Sequence, residues 1–328
     1  GGAGITGPGA RWLTDMRLAD ASAPARGAYA KLEDLIALRF PAKQLRLARR
    51  KRALSALTGP NKSNFRGRGI DFEEVRNYQP GDDIRTIDWR VTARTGTAHT
   101  KLFREERERP VMVVTDQRSG MFFGSSHCFK SVLAAQLSSL LAWSALEAGD
   151  RIGGLVFNDS EHREIRPRRS RKTVLALLSE LKAYNNALPP AAPPGEDSFS
   201  TMLSNLRRIA RPGSSLFLVS DFRGASGEHA REHLFQLAQH TEITAIVCSD
   251  PIEAELPRAG QYAVTDGEQR SELHTGDSKL RATYRESFQR QRRQLSRDLM
   301  RLGIPLLQAT TPQSPFTLLQ GYYGDTRR

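Results

Sequence analysis

At 328 residues, with 38% hydrophobic and 26% charged residues, the chain can bury a sizeable core and has room for two domains, which excludes a wholly disordered polypeptide. The net charge is +13, and no apolar run reaches the ~18 residues of a membrane-spanning helix. Two cysteines, Cys128 and Cys248, give neither a disulfide framework nor metal-ligand spacing, so a reducing, cytoplasmic setting is the default expectation.

Residues 1–27, opening on GGAGITGPGA, read as a flexible lead. A basic α+β segment is expected over 28–108. Its first part, 28–57, has helical periodicity interrupted at Pro41, with Leu32, Leu35, Ile36 and Leu38 before the break and Leu45, Leu47, Leu54 and Leu57 after it. No acidic residue falls between Asp34 and Asp71. Arg39, Lys43, Arg46, Arg49, Arg50, Lys51, Arg52, Lys62, Arg66 and Arg68 all do, so a basic block over 39–68 could meet nucleic acid, an anionic lipid surface or an acidic protein. No helix-turn-helix, zinc-finger or RNP-type motif accompanies it. The plain alternative is a solvated helix face.

After the loop at 58–64 come short strands, a glycine-rich turn and the run RNYQPGDDIRTIDWR at 76–90. Pro80 and Gly81 mark a turn in which Asp82 and Asp83 can accept backbone N–H bonds. Arg76, Arg85, Arg90 and Arg94 have acidic neighbours in Asp82, Asp83, Asp88, Glu105 and Glu106. A mutually neutralising network that clamps the small segment onto the first strand of the next domain is the expected role, with docking of a partner protein as the alternative. Tyr78 and Trp89 read first as core aromatics of the small segment. A short helix or turn around Trp89 and a strand near TAHTKLFREE complete it.

From 109 to 328 the pattern changes to strands alternating with helices of ten to twenty residues. VMVVTD at 111–116 is a continuous apolar run, as a buried parallel strand requires. Helices are expected near 128–148, 170–184, 200–210, 228–240 and 278–302. Strands are expected at 151–159, 215–221, 242–250 and 305–310, with an edge strand at EHREIRP and a hairpin over 261–274. Such alternation predicts an α/β fold with a doubly wound, mostly parallel sheet.

Ligands of such sheets sit beyond the carboxyl ends of the strands at the switch point. Asp116 and Asp221 end two strands, in VVTDQRSG and LVSDFRG, and Thr201 stands at a helix start between them. Two strand-end carboxylates and a threonine suggest a cation site; a lone strand-end Asp is more often a helix cap.

This layout resembles a von Willebrand factor A-like domain, whose metal site uses D-x-S-x-S, then Thr, then Asp. The preceding run G-x-D-F-E-E-V-R-x-Y-x-P-G-D-D-I-R-x-I-D-W, with the later KLFREE, is similar to the signature of the bacterial family called domain of unknown function 58. The likeness covers residues from about 65 to 310. It implies a von Willebrand A-like domain behind the signature, and a partner among MoxR-type AAA+ ATPases. The chain departs from the metal motif: Arg118 stands where the first serine belongs and Gly120 at the second, with Ser119 one position out of register. A guanidinium cannot ligate a cation and repels one. Arg118 is therefore expected to serve Asp116 and Asp221 as an internal cation, leaving magnesium at Asp116, Thr201 and Asp221 as the weaker alternative.

No HExxH, GxSxG or Walker motif, Cys/His cluster or third strand-end carboxylate is expected to support catalysis. The expected function is a non-catalytic adaptor working with a MoxR-type AAA+ ATPase in assembly or maturation of protein complexes. The alternatives are anionic-surface binding through 39–68 and a metal-dependent hydrolase at Asp116 and Asp221.

Overall fold

The computed structural model describes residues 21–47, 71–79, 87–104, 110–189, 197–254, 261–265, 270–274 and 278–324. They divide into two units, one of residues 63–109 and the other of the flanking chain on both sides.

In the smaller unit, β1 (Asp71–Asn77) pairs antiparallel with β2 (His99–Arg104), with a bulge between Phe72 and Glu74. Between them α2 (Trp89–Thr95) starts on Asp88, whose carboxylate accepts the N–H groups of Arg90 (3.0 Å) and Val91 (3.2 Å). It stops at Gly96, whose φ of 74° is the left-handed conformation that glycine adopts without a Cβ penalty.

Among the described residues, the larger unit carries α1 (Leu32–Ala37) and a single helical turn, Arg39–Ala42, ahead of its sheet. Its strands and helices follow in the expected order: β3 (Val111–Asp116), α3 (Lys130–Glu147), β4 (Ile152–Phe157), β5 (His162–Arg168), α4 (Arg171–Asn186), α5 (Ser198–Ile209), β6 (Ser215–Ser220), α6 (Glu228–His240) and β7 (Glu242–Ser249). Then come the turn Pro251–Ala254, the hairpin β8 (Gln261–Thr265) and β9 (Arg270–His274), α7 (Ser278–Arg301), β10 (Leu306–Thr310) and α8 (Pro315–Tyr323). Among the described residues, six strands form one sheet in the order β10-β7-β6-β3-β4-β5. All pairings are parallel except that of the edge strand β5 with β4.

Helices cover both faces. Alternate residues of β3 divide between two cores: Val111 and Val113 pack with α3, α4 and α8, while Met112 and Val114 pack with α5, α6 and α7. This is why β3, β4 and β6 are buried throughout instead of alternating. The fold is a doubly wound α/β sheet.

The N-terminal residues differ from expectation. Leu35, Ala42, Leu45 and Leu47 are buried in the core beside α3, so the helices of 32–42 belong with the sheet, apart from the 63–109 unit. The carbonyl of Leu35 accepts from Ser139 Oγ (2.6 Å) and Trp143 Nε1 (3.1 Å), and that of Leu45 from Ser144 Oγ (3.2 Å). A helix roofed in this way has no solvent face, and α3 is accordingly buried along almost its whole length. Residues 21–27 are docked as well: Ala21 O accepts from Ser314 Oγ at 2.8 Å, and Gly27 N–H donates to His127 O at 2.8 Å. The flexible lead expected over 1–27 is thus corrected for its described part. Residues 1–20 lie outside the described residues.

Candidate functional site

β3 has β4 on one side and β6 on the other, and the chain crosses from one half of the sheet to the other between β5 and β6. The switch point is therefore the gap between β3 and β6, at whose carboxyl ends Asp116 and Asp221 lie. Asp116 is fully buried. Its Oδ1 accepts from the backbone N–H of Arg118 (2.9 Å) and from Arg118 Nε (3.0 Å). Its Oδ2 accepts from Arg118 Nη2 (2.7 Å) and from Ser220 Oγ (2.6 Å).

Arg118 turns inward. Its guanidinium lies between the rings of Phe157 and Phe199, 5.5 and 5.2 Å from their centroids, and its Nη1 donates to the carbonyl of Arg223 at 3.1 Å. Nη2 also lies 3.4 Å from Asp221 Oδ1. Burial opposes its charge, but Asp116, through both charge and hydrogen bonding, holds it protonated well above the ordinary arginine range.

Asp221 has a second, unexpected partner. Lys130, fully buried at the start of α3, places Nζ 3.1 Å from Asp221 Oδ2 and 2.6 Å from Glu253 Oε1. Burial alone would raise the Asp221 pKa. The Lys130 ammonium and the Arg118 guanidinium overcome this and keep the carboxyl below its usual range. Arg223, largely exposed at the rim, reaches Asp221 (3.6 Å) and Glu253 (3.8 Å). Asp116, Asp221 and Glu253 thus face Arg118, Lys130 and Arg223, and these six charges cancel; Asp159 near Arg118 and Arg292 near Glu253 and Asp221 add one charge of each sign.

An open cleft of ~220 Å³ borders this cluster, lined by Arg118, Ser119, Gly120, Asp159, Asp197, Ser198, Phe199, Asp221, Arg223 and Gly224. Phe222 beside it has a φ of 60° and Asp197 a φ of 74°, values that side chains rarely adopt. The Phe222 conformation is held by its N–H on Ser220 Oγ (2.9 Å) and by its ring 5.7 Å from that of Phe199. Backbone in this state collects at sites that must hold a fixed geometry.

The expected cation set is only partly assembled. Ser119 uses its backbone N–H on Asp159 Oδ2 at 2.6 Å. Gly120 lies where an added Cβ would come 3.3 Å from Arg223 Nη1 and 3.4 Å from Asp221 Oδ2. Thr201 is a correction: it is exposed on α5 and does not line the cleft, and Ser198, three residues earlier, faces Arg118 Nη1 at 3.5 Å. With both oxygens of Asp116 engaged by Arg118 and Ser220, these residues do not fit a divalent cation. Among the described residues no group of three or more His, Cys, Asp or Glu side chains could hold one.

Sequence reasoning missed Lys130, Glu253, Ser220, Arg223 and Asp250. The expected lack of a third strand-end carboxylate is corrected by Asp250, which closes EITAIVCSD as Asp116 and Asp221 close their own strands. Asp250 is no part of the cleft. It accepts from Ser125 Oγ (2.6 Å), Ser125 N (2.8 Å) and Thr311 Oγ1 (2.6 Å), tying the loop after β3 to the end of β10. Burial would raise its pKa, but these hydrogen bonds hold it below the usual range. Lys130 had a weak signal, a lone lysine inside the apolar helix FKSVLAA.

Of the signature residues, Gly81, Asp82, Asp83 and Arg85 lie outside the described residues. Arg76 is opposite Thr100 across β1–β2, and Tyr78 N–H donates to Ala98 O at 2.8 Å. Asp88 caps α2. Arg94 is exposed on that helix, and Trp89, expected in a core, is 67% exposed. In the basic block, Arg39 lies over the Phe40 ring (4.5 Å), Lys43 is 3.8 Å from Glu147 and Arg46 donates to Lys43 O (2.8 Å); residues 49–68 lie outside the described ones.

Comparison with known proteins adds three findings. The family model described as "Protein of unknown function DUF58" matches residues 74–294. Uncharacterized proteins of Mycobacterium bovis and Mycobacterium tuberculosis are each 28% identical over 264 residues, 80% of this chain and 81% of theirs. Among solved structures, the hypothetical protein BatB from Bacteroides thetaiotaomicron is 13% identical, with 65% of this chain and 96% of that one covered at a TM-score of 0.42. An aerotolerance-related membrane protein from Bacteroides fragilis gives 13%, 64%, 94% and 0.36 for the same quantities. Among the described residues no helix is long and apolar enough to cross a membrane.

Proposed function

Because the chain belongs to the DUF58 family, whose name records only an unknown function, we propose its role from the geometry at the switch point: a non-catalytic protein-interaction module. The observation that carries this reading is Arg118 seated on Asp116 with both carboxylate oxygens engaged. A catalytic carboxylate needs a free oxygen to take a proton, attack or ligate, and here the oxygens are held by fixed donors. The sheet end becomes a rigid, charge-neutral platform beside an open cleft.

In this reading the larger unit is a von Willebrand A-like domain in which an arginine takes the place of the metal ion. The family resemblance supplies the kind of partner, a MoxR-type AAA+ ATPase, with assembly or maturation of protein complexes as the process. A cytoplasmic setting belongs to the same reading, supported by Cys128 and Cys248 being free, buried thiols.

The test is association of the full chain with a purified MoxR-type AAA+ ATPase, by size exclusion and calorimetry in apo, ADP and ATP-analogue states. A nucleotide-sensitive complex is expected, and Arg223→Ala at the cleft rim should weaken it. Absence of association in all three states would remove the adaptor reading.

A further inference from the structure

We propose that the outward face of α7 is a docking strip for the phosphate backbone of a nucleic acid. Over 24 residues this helix carries Lys279, Arg281, Arg285, Arg290, Arg292, Arg293, Arg297 and Arg301 against only Glu286 and Asp298 as acids. Its attachment to the fold is narrow. Leu295 and Leu299 are buried in the core, and most of the helix before them is exposed.

Arg290, Arg293, Arg297 and Arg301 are all exposed, and their spacing of three, four and four residues puts them in one row opposite the Leu295–Leu299 stripe. At 1.5 Å per residue the row is about 16 Å long. Among the described residues no carboxylate forms an ion pair with any of the four. Arg293 and Arg297 are steadied only by glutamines of their own helix, Gln289 at 3.5 Å and Gln294 at 2.9 Å. Asp298, the acid nearest the row's end, accepts from Gln294 Nε2 at 2.8 Å.

Three features favour nucleic acid over a lipid surface. A helix that lies in a membrane interface buries its apolar face there, whereas Leu295 and Leu299 of α7 are already in the core and the exposed row opposite them is cationic. The cations of the row are all arginine, whose planar fork grips phosphate bidentately. Glutamines are interleaved with them, in FQRQRRQLSR, and their amides suit sugar and base edges. A second basic stretch, Arg163–Lys172, runs along the edge strand β5 and into α4, where charge has a structural purpose in blocking edge-to-edge pairing. No such purpose applies to α7. This inference concerns a different surface from the cleft and stands apart from the adaptor reading.

The experiment titrates the full chain into a fluorescently labelled, mixed-sequence duplex DNA between about 50 and 200 mM salt. Wild type should bind at the lower salt. R290Q/R293Q/R297Q/R301Q, with an unchanged melting curve, should bind roughly tenfold or more weakly, and its salt slope should be shallower by about 3–4 at ~0.9 per phosphate contact. If the fourfold variant does not fold, R293Q/R297Q should give about half that change in slope. The β5-edge variant R166Q/R168Q/R169Q/R171Q serves as the charge-matched control and should lose much less. Equal affinity of wild type and α7 variant, larger loss in the β5 variant, no binding by wild type, or binding to phosphatidylserine vesicles but not to the duplex would each overturn the proposal.

Discussion

Arg118 grips Asp116 from two residues away, with its backbone N–H and Nε on Oδ1 and its Nη2 on Oδ2, all within 3.0 Å. The pair is buried, so each charge depends on the other. Arg118→Met should leave a carboxylate in the core with only the Ser220 hydroxyl and the backbone N–H of residue 118 and no counter-charge bonded to it, at a cost of about 3–5 kcal/mol. Adding Asp116→Asn should recover much of that loss, because a neutral amide needs no counter-charge. Denaturant unfolding of the two single variants and the double variant measures the coupling. Additive effects would mean the pair does not hold this end of the sheet.

The same pair bears on cation binding. Wild-type protein should gain no melting temperature from Mg²⁺ or Mn²⁺, since only a ligand that prefers the folded state stabilises it. R118S/G120S should gain binding through Asp116 and two new hydroxyls, once the exposed Arg223 side chain moves off the Cβ of residue 120. Because Thr201 faces solvent, the third group from α5 should be Ser198: Ser198→Ala in that background should abolish the gain and Thr201→Ala should not.

A pH dependence follows from Asp221. Its folded-state pKa lies below the unfolded value, held there against burial by Lys130 and Arg118. The unfolded chain therefore binds the proton more readily. The resulting stabilisation is fully present above the unfolded carboxylate pKa of ~3.9 and is lost as pH falls through the lower folded value. Unfolding free energy should rise with pH across the acid range in wild type, and more gently in Asp221→Asn. Identical slopes would show that the Lys130–Asp221 contact carries no such linkage.

The order of elements was legible because each strand of the sheet is a short apolar run between helical patterns, and the run VMVVTD became β3 as read. The site was legible only where it is local. Arg118 lies two residues from Asp116, so its role followed from the motif's departure. Lys130 reaches Asp221 across 91 positions, a pairing that requires α3 to return over the sheet. The helix of 32–42 was misassigned to the basic segment because its apolar pattern says only that a face is buried. What it is buried against is set by α3, whose own lack of a polar side was the unread sign of a second covering layer.

The cap of α2 is a local device with a local cost. Asp88→Ala removes the acceptor for two orphan N–H groups and should destabilise the smaller unit by about 0.5–2 kcal/mol, while Asp88→Ser or Asp88→Asn should restore most of it. Hydrogen exchange at Arg90 and Val91 reports the cap directly. An Asp88→Ala variant with unchanged protection there would show that α2 does not depend on it.

Next to the cap, Trp89 gives the sharpest division between structure and docking in the signature. A tryptophan 67% exposed at the first position of a helix contributes little to folding, yet exposed aromatics are the side chains that dominate protein interfaces. Trp89→Ala should leave the melting temperature of the full chain essentially unchanged, within the ~0.5 kcal/mol expected of a surface substitution. In the ATPase-binding assay the same variant should lower affinity by roughly tenfold or more if Trp89 is an anchor. Arg94→Ala, an exposed neighbour on α2, should act in the same direction but more weakly, as a rim charge does. A Trp89→Ala chain that binds the ATPase as wild type does, with a normal melting curve, would remove Trp89 from the docking surface and leave the cleft beside Arg118 as the place to look for the contact.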